Sequence, residues 1–537
     1  MLVSEYCPMN PKQVFVREAT GLVRGLSVFD LFNLVFGQIM PASGIVFILA
    51  LTPFAFPQSH MGYAWLIATV LIALGPGLLY GMLGAAIPRT GGDYIYGTRI
   101  IHPAVGFLMS WLFVVANLEF VASIGTLWGA DYLSSSVATF GQLLNNSFLL
   151  SNAVWLRTTT GQVVSGELLI AFITIVVMLG RAVWRLMRVL FVVVMICIFV
   201  NIIFLFTVPQ STFVNTFNTQ FASQNVTYTG IIQTAVSNGY TPGWTWAGTI
   251  SAMSLAMLGL YGFPFASYAA GETKRASKTQ PLATVLGIVV GGLLFAAWTF
   301  AIYSAFGYDF FSAANYLSVL PAGSVLPIPP YVNSLFTILP QSPWTLIAGA
   351  ILWGFGGIWL ATTFYVPLVR GLFAWSFDRL APAALADVND RFHSPVKATI
   401  LCGVLAGICC LLWIYTSFAT LFANTTLLIC VVMFVTSIAG LILPWRAKAL
   451  FEQSPVWIKR RILGIPALTW CAGFSTIVVA ILVYSCFANA FIGGGAVGYP
   501  FTAGIIISGV ALYYIMRAYR KWQGVDVSLA FKQIPPE

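Results

Sequence analysis

Gly37-Gln38-Ile39-Met40-Pro41-Ala42-Ser43-Gly44 lies in the middle of an apolar run that extends from about residue 25 to 54. Pro41 removes a backbone donor and its ring clashes with the turn before it. Gly37 and Gly44 weaken the helix on either side. A second interruption of this kind, Gly259-Leu260-Tyr261-Gly262-Phe263-Pro264, sits near the middle of the run 246–271. A single Gly or Pro in an apolar helix signals a kink and no more. Two Gly/Pro-rich breaks at corresponding places signal a designed pair.

Working outward, sliding along the chain gives twelve runs long enough for a bilayer helix, which needs about 20 mostly apolar residues. Their limits are about 25–54, 63–87, 103–133, 164–180, 189–208, 246–271, 282–306, 344–375, 396–416, 420–444, 464–488 and 499–522. The runs are continuous and do not alternate, which excludes a barrel. The breaks fall in the first and sixth runs. Five spans is an odd number, so a five-span repeat is inserted upside down the second time. That is the pattern of an inverted-repeat secondary transporter with its site at the midplane. Unwound backbone at that depth costs several kcal/mol per unpartnered group. It persists where a ligand supplies the partners: half-helix N-termini suit a carboxylate, and freed carbonyls suit an ammonium or a metal cation.

Composition agrees. Of 537 residues 59% are apolar and 7% charged, and mean hydropathy is +0.90. An ordinary soluble domain carries about 25% charged residues. The soluble enzyme, the nucleic-acid binder, the secreted disulfide scaffold and the disordered chain are poor readings. Alternating the connections between two sides puts 24 of the 25 Lys and Arg on the side of both termini, with Arg157 opposite. Positive charge marks the cytoplasmic side, so both termini are expected in the cytoplasm, and the basic pI needs no nucleic acid. The first 26 residues are polar and mixed, unlike a signal peptide. The outer connections 134–163, 209–245 and 307–343 are rich in Ser, Thr, Asn, Gly and Pro and read as loops, with sequons at Asn145 and Asn225. Pro321–Pro330 reads as a packed external loop. The eight cysteines include no CxxC pair and read as small buried residues.

Several motifs, in order from about Leu22 to Tyr519, resemble those of the amino acid–polyamine–organocation superfamily, the amino acid permeases. They are RGLSVFD from Arg24 to Asp30, the GQIMPASG stretch, IPRTGGDYIYGTRIIHPAVGFLMSW from Ile87 to Trp111, Glu272-Thr273-Lys274, RGLFAWSFDRLAP from Arg370 to Pro382, and Pro444-Trp445-Arg446. The resemblance implies an all-α membrane protein of twelve transmembrane helices. Residues 1–24 would form a cytoplasmic segment, 25–208 and 246–444 the two five-helix repeats, and 209–245 an extracellular loop. Residues 464–522 would carry peripheral helices 11 and 12, and 523–537 a cytoplasmic tail. It further implies that the amides of Ala42, Ser43 and Gly44 bind a substrate carboxylate. The carbonyls of Ile39 and Met40, with Tyr261 and Gly262, would take its amino group, and Leu258, Phe263 and Phe364 would shape the pocket or gate. Pro264 replaces the family's glutamate. It suits the first turn of a resumed half-helix but removes a carboxylate some members use.

Glu119, in the middle of the third run, is the clearest buried charge and is expected to act in the pocket or in proton coupling, as charges inside spans usually do. Sodium-coupled relatives use span 1 carbonyls and span 8 hydroxyls, which makes Gly37, Met40, Thr362 and Thr363 a candidate Na+ site. A membrane enzyme finds no constellation, since His60, His102 and His393 fall in connections. No cofactor is expected. The reading is a permease in the cytoplasmic membrane, in contact with lipid, that moves an amino acid or related small amine by alternating access, with H+ or Na+ as coupling ion. Its alternative is a transporter-like subunit without transport in a larger complex.

Overall fold

The computed structural model describes Phe15 and residues 21–39, 43–320, 326, 328–489 and 492–535. The helices used below are α1 (Val28–Gln38), α2 (Ser43–Ala55), α3 (Met61–Ala86), α4 (Pro103–Leu143), α5 (Thr159–Met178), α6 (Arg181–Thr207), α7 (Trp246–Ser251), α8 (Met253–Gly259), α9 (Phe263–Tyr268), α10 (Ala276–Phe306), α11 (Pro343–Phe377), α12 (Val396–Tyr415), α13 (Thr425–Arg446), α14 (Ala467–Ala488) and α15 (Gly495–Trp522). Ten of them are long and apolar enough to cross a membrane. They fall on ten of the twelve apolar runs. The other two runs are carried by short helices that stop where Gly and Pro interrupt the sequence: α1 ends at Gln38 and α2 begins at Ser43, while α8 ends at Gly259 and α9 begins at Phe263.

Several expected limits need correction. The helix α4 runs past residue 133 to Leu143 through a π-turn at Trp128–Leu133. The helix α6 starts at Arg181, so Arg181, Arg185 and Arg188 stand in its first turns and not in a connection. Hydropathy marks where lipid begins, and hydrogen bonding continues beyond it. The outer connections are not plain loops either. They hold the helices Ser147–Leu156, Gln210–Gln220, Tyr228–Ser237, Tyr308–Val319 and Val332–Phe336. Their Ser, Thr and Asn residues serve as caps: the side chains of Asn146, Thr227, Thr245 and Ser342 accept from backbone amides one turn on, which satisfies donors a helix start leaves unpaired. Of Pro321–Pro330, residues 321–325 and 327 lie outside the described residues.

Close backbone approach positions α1. Gly287 and Gly291 of α10, four apart, form the small-residue seam that lets membrane helices touch. A Cβ on Gly287 would stand 2.5 Å from the Val35 side chain, and one on Gly291 2.9 Å from that of Ile39. Buried Asn33 ties α1 to two more helices: its Nδ2 donates to the Met187 carbonyl at 2.8 Å, and its Oδ1 accepts from Trp359 Nε1 at 2.9 Å.

Charge collects at the end of the bundle where Phe15 and residues 530–535 lie. Arg188 pairs with Asp30 at 2.7 Å, Arg370 with Glu272 at 2.9 Å and Arg99 with Asp378 at 2.5 Å. The Glu272 carbonyl also accepts from the amides of Gly25 and Leu26, both at 3.0 Å, which joins the start of α1 to the segment after α9. The C-terminal tail folds back over this end. Arg99 donates to the main-chain oxygens of Ala530 and Gln533, and Arg89 to that of Pro535 at 2.6 Å. Ala530 packs with Phe15, Phe373 and Phe377.

The Arg370–Glu272 pair is almost fully buried, at 4% and 7% side-chain exposure. Removing one partner of a buried pair costs about 3–5 kcal/mol, whereas apolar replacement of both is often neutral. Arg370→Met is therefore expected to lower the unfolding midpoint of the detergent-purified protein sharply, and Arg370→Met with Glu272→Met to recover most of the loss.

Candidate functional site

Where α1 stops short of α2 and α8 gives way to α9, a cavity of about 60 Å³ lies between the helices. The first break contributes Gln38 and Gly44, followed by Phe47, Ile48 and Leu51 of α2. The second contributes Leu255, Leu258, Gly259 and Tyr261. One face of α4 closes the side with Phe120, Ser123, Ile124 and Leu127, spaced as i, i+3, i+4 and i+7, and with Tyr132. Leu360 of α11, Thr426 of α13 and Ile492 complete the wall. Among the described residues no Asp, Glu, Lys, Arg or His lines it.

The chain between α8 and α9 turns tightly. Tyr261 N donates to the Leu258 carbonyl at 3.0 Å and Gly262 N to the Leu260 carbonyl at 2.9 Å. Pro264 stands in the first turn of α9, where its missing donor costs nothing. Helix starts leave their first N–H groups without partners inside the helix, and helix ends leave carbonyls. Gly44, in the first turn of α2, and Gly259, the last residue of α8, bring one terminus of each kind to the cavity wall. Such a place can hold an anionic group against the helix start, a cationic group against carbonyls, and an apolar body between.

The expected site residues divide. Gly44, Leu258 and Tyr261 line the cavity. Met40 and Ala42 lie outside the described residues. Ser43 opens α2. Ile39 is buried against Gly291 and Gly262, and Gly262 is pressed on the Val35 carbonyl. Phe263 packs its ring 5.2 Å from Tyr80, in the core. Phe364 stacks on the lining residue Phe120 at 4.7 Å and meets Phe265 edge-on at 5.7 Å, so it supports the wall from behind. Glu119 is buried, its two carboxylate oxygens without a hydrogen-bond partner. It lies near Cys409 of α12, off the face of α4 that lines the cavity. At the candidate Na+ position Gly37 and Thr363 do meet, a Cβ on Gly37 reaching 2.7 Å from the Thr363 methyl. The hydroxyls of Thr362 and Thr363 donate to the Ile358 and Leu360 carbonyls of their own helix, at 2.8 and 2.7 Å.

Two residues stand out that the linear reading left aside. Gln38 lines the cavity, and its Nε2 has no partner; its Oε1 sits 3.5 Å from the Thr363 hydroxyl. A lone amide in an apolar run next to a break was the available signal. Asp93, in the connection between α3 and α4, is completely buried. Its Oδ1 accepts from the Tyr80 hydroxyl at 2.6 Å and from the Thr436 hydroxyl at 2.5 Å.

Comparison with known proteins supplies the context for this arrangement. A family model described as amino acid permease matches residues 26–512. A branched-chain amino acid permease of Bacillus subtilis (strain 168) is 22% identical over 391 residues, 72% of this chain and 74% of its own. A methylthioribose transporter of the same organism is 21% identical over 401 residues, 73% and 75% of the two chains. Its aspartate-proton symporter is 32% identical over 100 residues, 18% of each chain.

The junction of the two breaks tolerates no added atom at Gly262, where a Cβ would run into the Val35 carbonyl oxygen. Overpacking costs about 1–3 kcal/mol. Gly262→Ala is expected to destabilise the fold by that amount and so to lower the unfolding midpoint, whereas Gly504→Ala, whose Cβ meets nothing within 4 Å, leaves the midpoint in place; differential scanning fluorimetry in detergent reads both.

Proposed function

This chain belongs to the amino acid permease family, and we propose that it carries a neutral amino acid with an apolar side chain, or a closely related small amine, across the cytoplasmic membrane by alternating access. The observation that carries this reading is a cavity at two helix breaks whose described lining bears no charged side chain. A free amino acid brings an ammonium and a carboxylate. With no side-chain charge to meet them, backbone groups at the helix ends are left to do so, as helix termini do for ions elsewhere. In this reading the amides of Ala42, Ser43 and Gly44 take the carboxylate, and the carbonyls of Ile39, Met40, Tyr261 and Gly262 take the ammonium. The cargo's side chain then lies among Phe47, Ile124, Leu258 and Leu360, with Phe120 resting on Phe364 as part of the gate. A second charge on the cargo would be buried there without a partner, which is costly. The B. subtilis relative named for branched-chain amino acids fits this selectivity.

Twelve spans in a five-plus-five inverted repeat, both termini in the cytoplasm, follow from the same reading. The ion pairs Asp30–Arg188 and Glu272–Arg370 then close the cytoplasmic end below the cavity, and must part for cargo to leave. The permease is a transporter and not an enzyme.

Counterflow into proteoliposomes tests the proposal. Vesicles loaded with unlabelled leucine, isoleucine or valine are expected to take up the labelled amino acid, and vesicles loaded with lysine or glutamate are not. Exchange of charged amino acids alone would overturn the selectivity. Absence of exchange with any amino acid, together with a partner chain that copurifies, would favour the non-transporting subunit.

A further inference from the structure

We propose that Asp93 is the proton-binding group through which this permease draws on a proton gradient; the proposal builds on the permease reading above and adds its coupling ion.

Among the described residues five acids are buried: Asp30, Asp93, Glu119, Glu272 and Asp378. Three of these are held by arginines. Asp93 and Glu119 have no cation. They differ in their surroundings. Glu119 has no hydrogen-bond partner for either oxygen. Asp93 is gripped from two helices, by Tyr80 of α3 and Thr436 of α13, both on Oδ1, while Oδ2 accepts nothing. Asparagine would keep the Oδ1 bonds without burying a charge, so a carboxyl here is spent on something packing does not ask for.

Its position connects it to the cavity. Gly91 (φ +122°) and Gly92 (φ +47°) make the turn before it in conformations that favour glycine. A Cβ on Gly92 would stand 2.6 Å from Ser267 Oγ, so the turn is pressed directly on α9. The groups that face Asp93 are the phenols of Tyr80 from α3, of Tyr268 from α9, of Tyr261 from the break and of Tyr96 from its own turn, with Thr436 from α13. No cation is among them; Arg99, further along the same connection, is taken by Asp378. Tyr261 lines the cavity and interacts electrostatically with Asp93. A change of charge on Asp93 is therefore felt at the cavity wall.

Burial raises the Asp93 carboxyl to about 6, against a usual value of about 3.9. The sign follows: Asp93 is protonated on Oδ2 when it equilibrates with an acidic compartment below about pH 6 and gives the proton up to a compartment above it. Coupling asks that the donors to Oδ1, which come from α3 and α13, change as the bundle rocks, and with them the affinity for the proton. One proton then crosses with each cargo molecule.

The test uses the full chain in proteoliposomes with a labelled amino acid that shows counterflow and an acid-outside pH gradient. With one proton for each cargo molecule, a gradient of one pH unit, about 1.36 kcal/mol, gives about tenfold accumulation. The wild type is expected to show it, and Asp93→Asn to show counterflow at a reduced rate with accumulation fallen to equilibration. Wild-type counterflow without gradient-driven accumulation overturns the proposal and leaves the permease reading standing; absence of counterflow in the wild type overturns that reading. Accumulation retained by Asp93→Asn and lost in Glu119→Gln overturns the assignment in favour of Glu119. If Asp93→Asn loses counterflow, restoration of both activities by Asp93→Glu supports the proposal, and failure of Asp93→Glu as well makes Asp93 a structural tie and overturns it.

Discussion

Hydrocarbon offers no partner to a peptide group, so a helix that stops halfway through a bilayer must be enclosed by protein on every side. Much of the packing here serves that enclosure. Gly287 and Gly291 bring α10 against the last turn of α1, and Gly262 brings the second break against the first, where its hydrogen in place of a methyl leaves space for the Val35 carbonyl. Asn33 holds the same α1 turn from the other side through Met187 and Trp359. The cavity is what remains between helix ends after these contacts are made. Its apolar walls follow from the helices that supply them, and its polar character comes from main chain.

The same solvent argument distributes the charges. A buried carboxylate in this molecule generally has a guanidinium, and the pairs Asp30–Arg188, Glu272–Arg370 and Asp378–Arg99 all lie at one end. The charge pattern of the sequence assigns nearly all the basic residues to the same side, so in the proposed topology orientation in the membrane and closure of the bundle draw on one set of side chains. The opposite end holds short capped helices and a cluster of rings: Tyr63, Trp244, Phe300 and Tyr303 meet His60 tilted or edge-on, and Tyr308 stacks on it.

How much of this was legible in the linear chain differs by feature. Ten of the apolar runs and both interruptions were, because lipid selects apolar runs and Gly and Pro are local signals. Helix ends were less so: Arg181, Arg185 and Arg188 are too polar to score as membrane yet continue α6. The outer segments looked like loops because capping residues resemble loop residues. Among the residues that line the cavity, Gly44, Leu258 and Tyr261 were implied by the family resemblance, and Gly44 and Tyr261 also stand in the two breaks. Phe120, Ser123, Ile124 and Leu127 required the rotational phase of α4, which a uniformly apolar sequence does not reveal. Glu119 was conspicuous as a charge among apolar residues although it faces α12. Asp93 was inconspicuous as one polar residue in a polar connection, and its burial depends on helices far away in sequence.

The tail has its own consequence. Arg99 and Arg89 hold residues 530–535 through main-chain oxygens, which every amino acid possesses. The Ala530 side chain is inserted in packing, that of Phe531 lies under the Arg99 guanidinium and Pro535 is buried, whereas Lys532 and Gln533 are exposed. Selection can therefore let the exposed letters of this strap drift while the strap stays fastened.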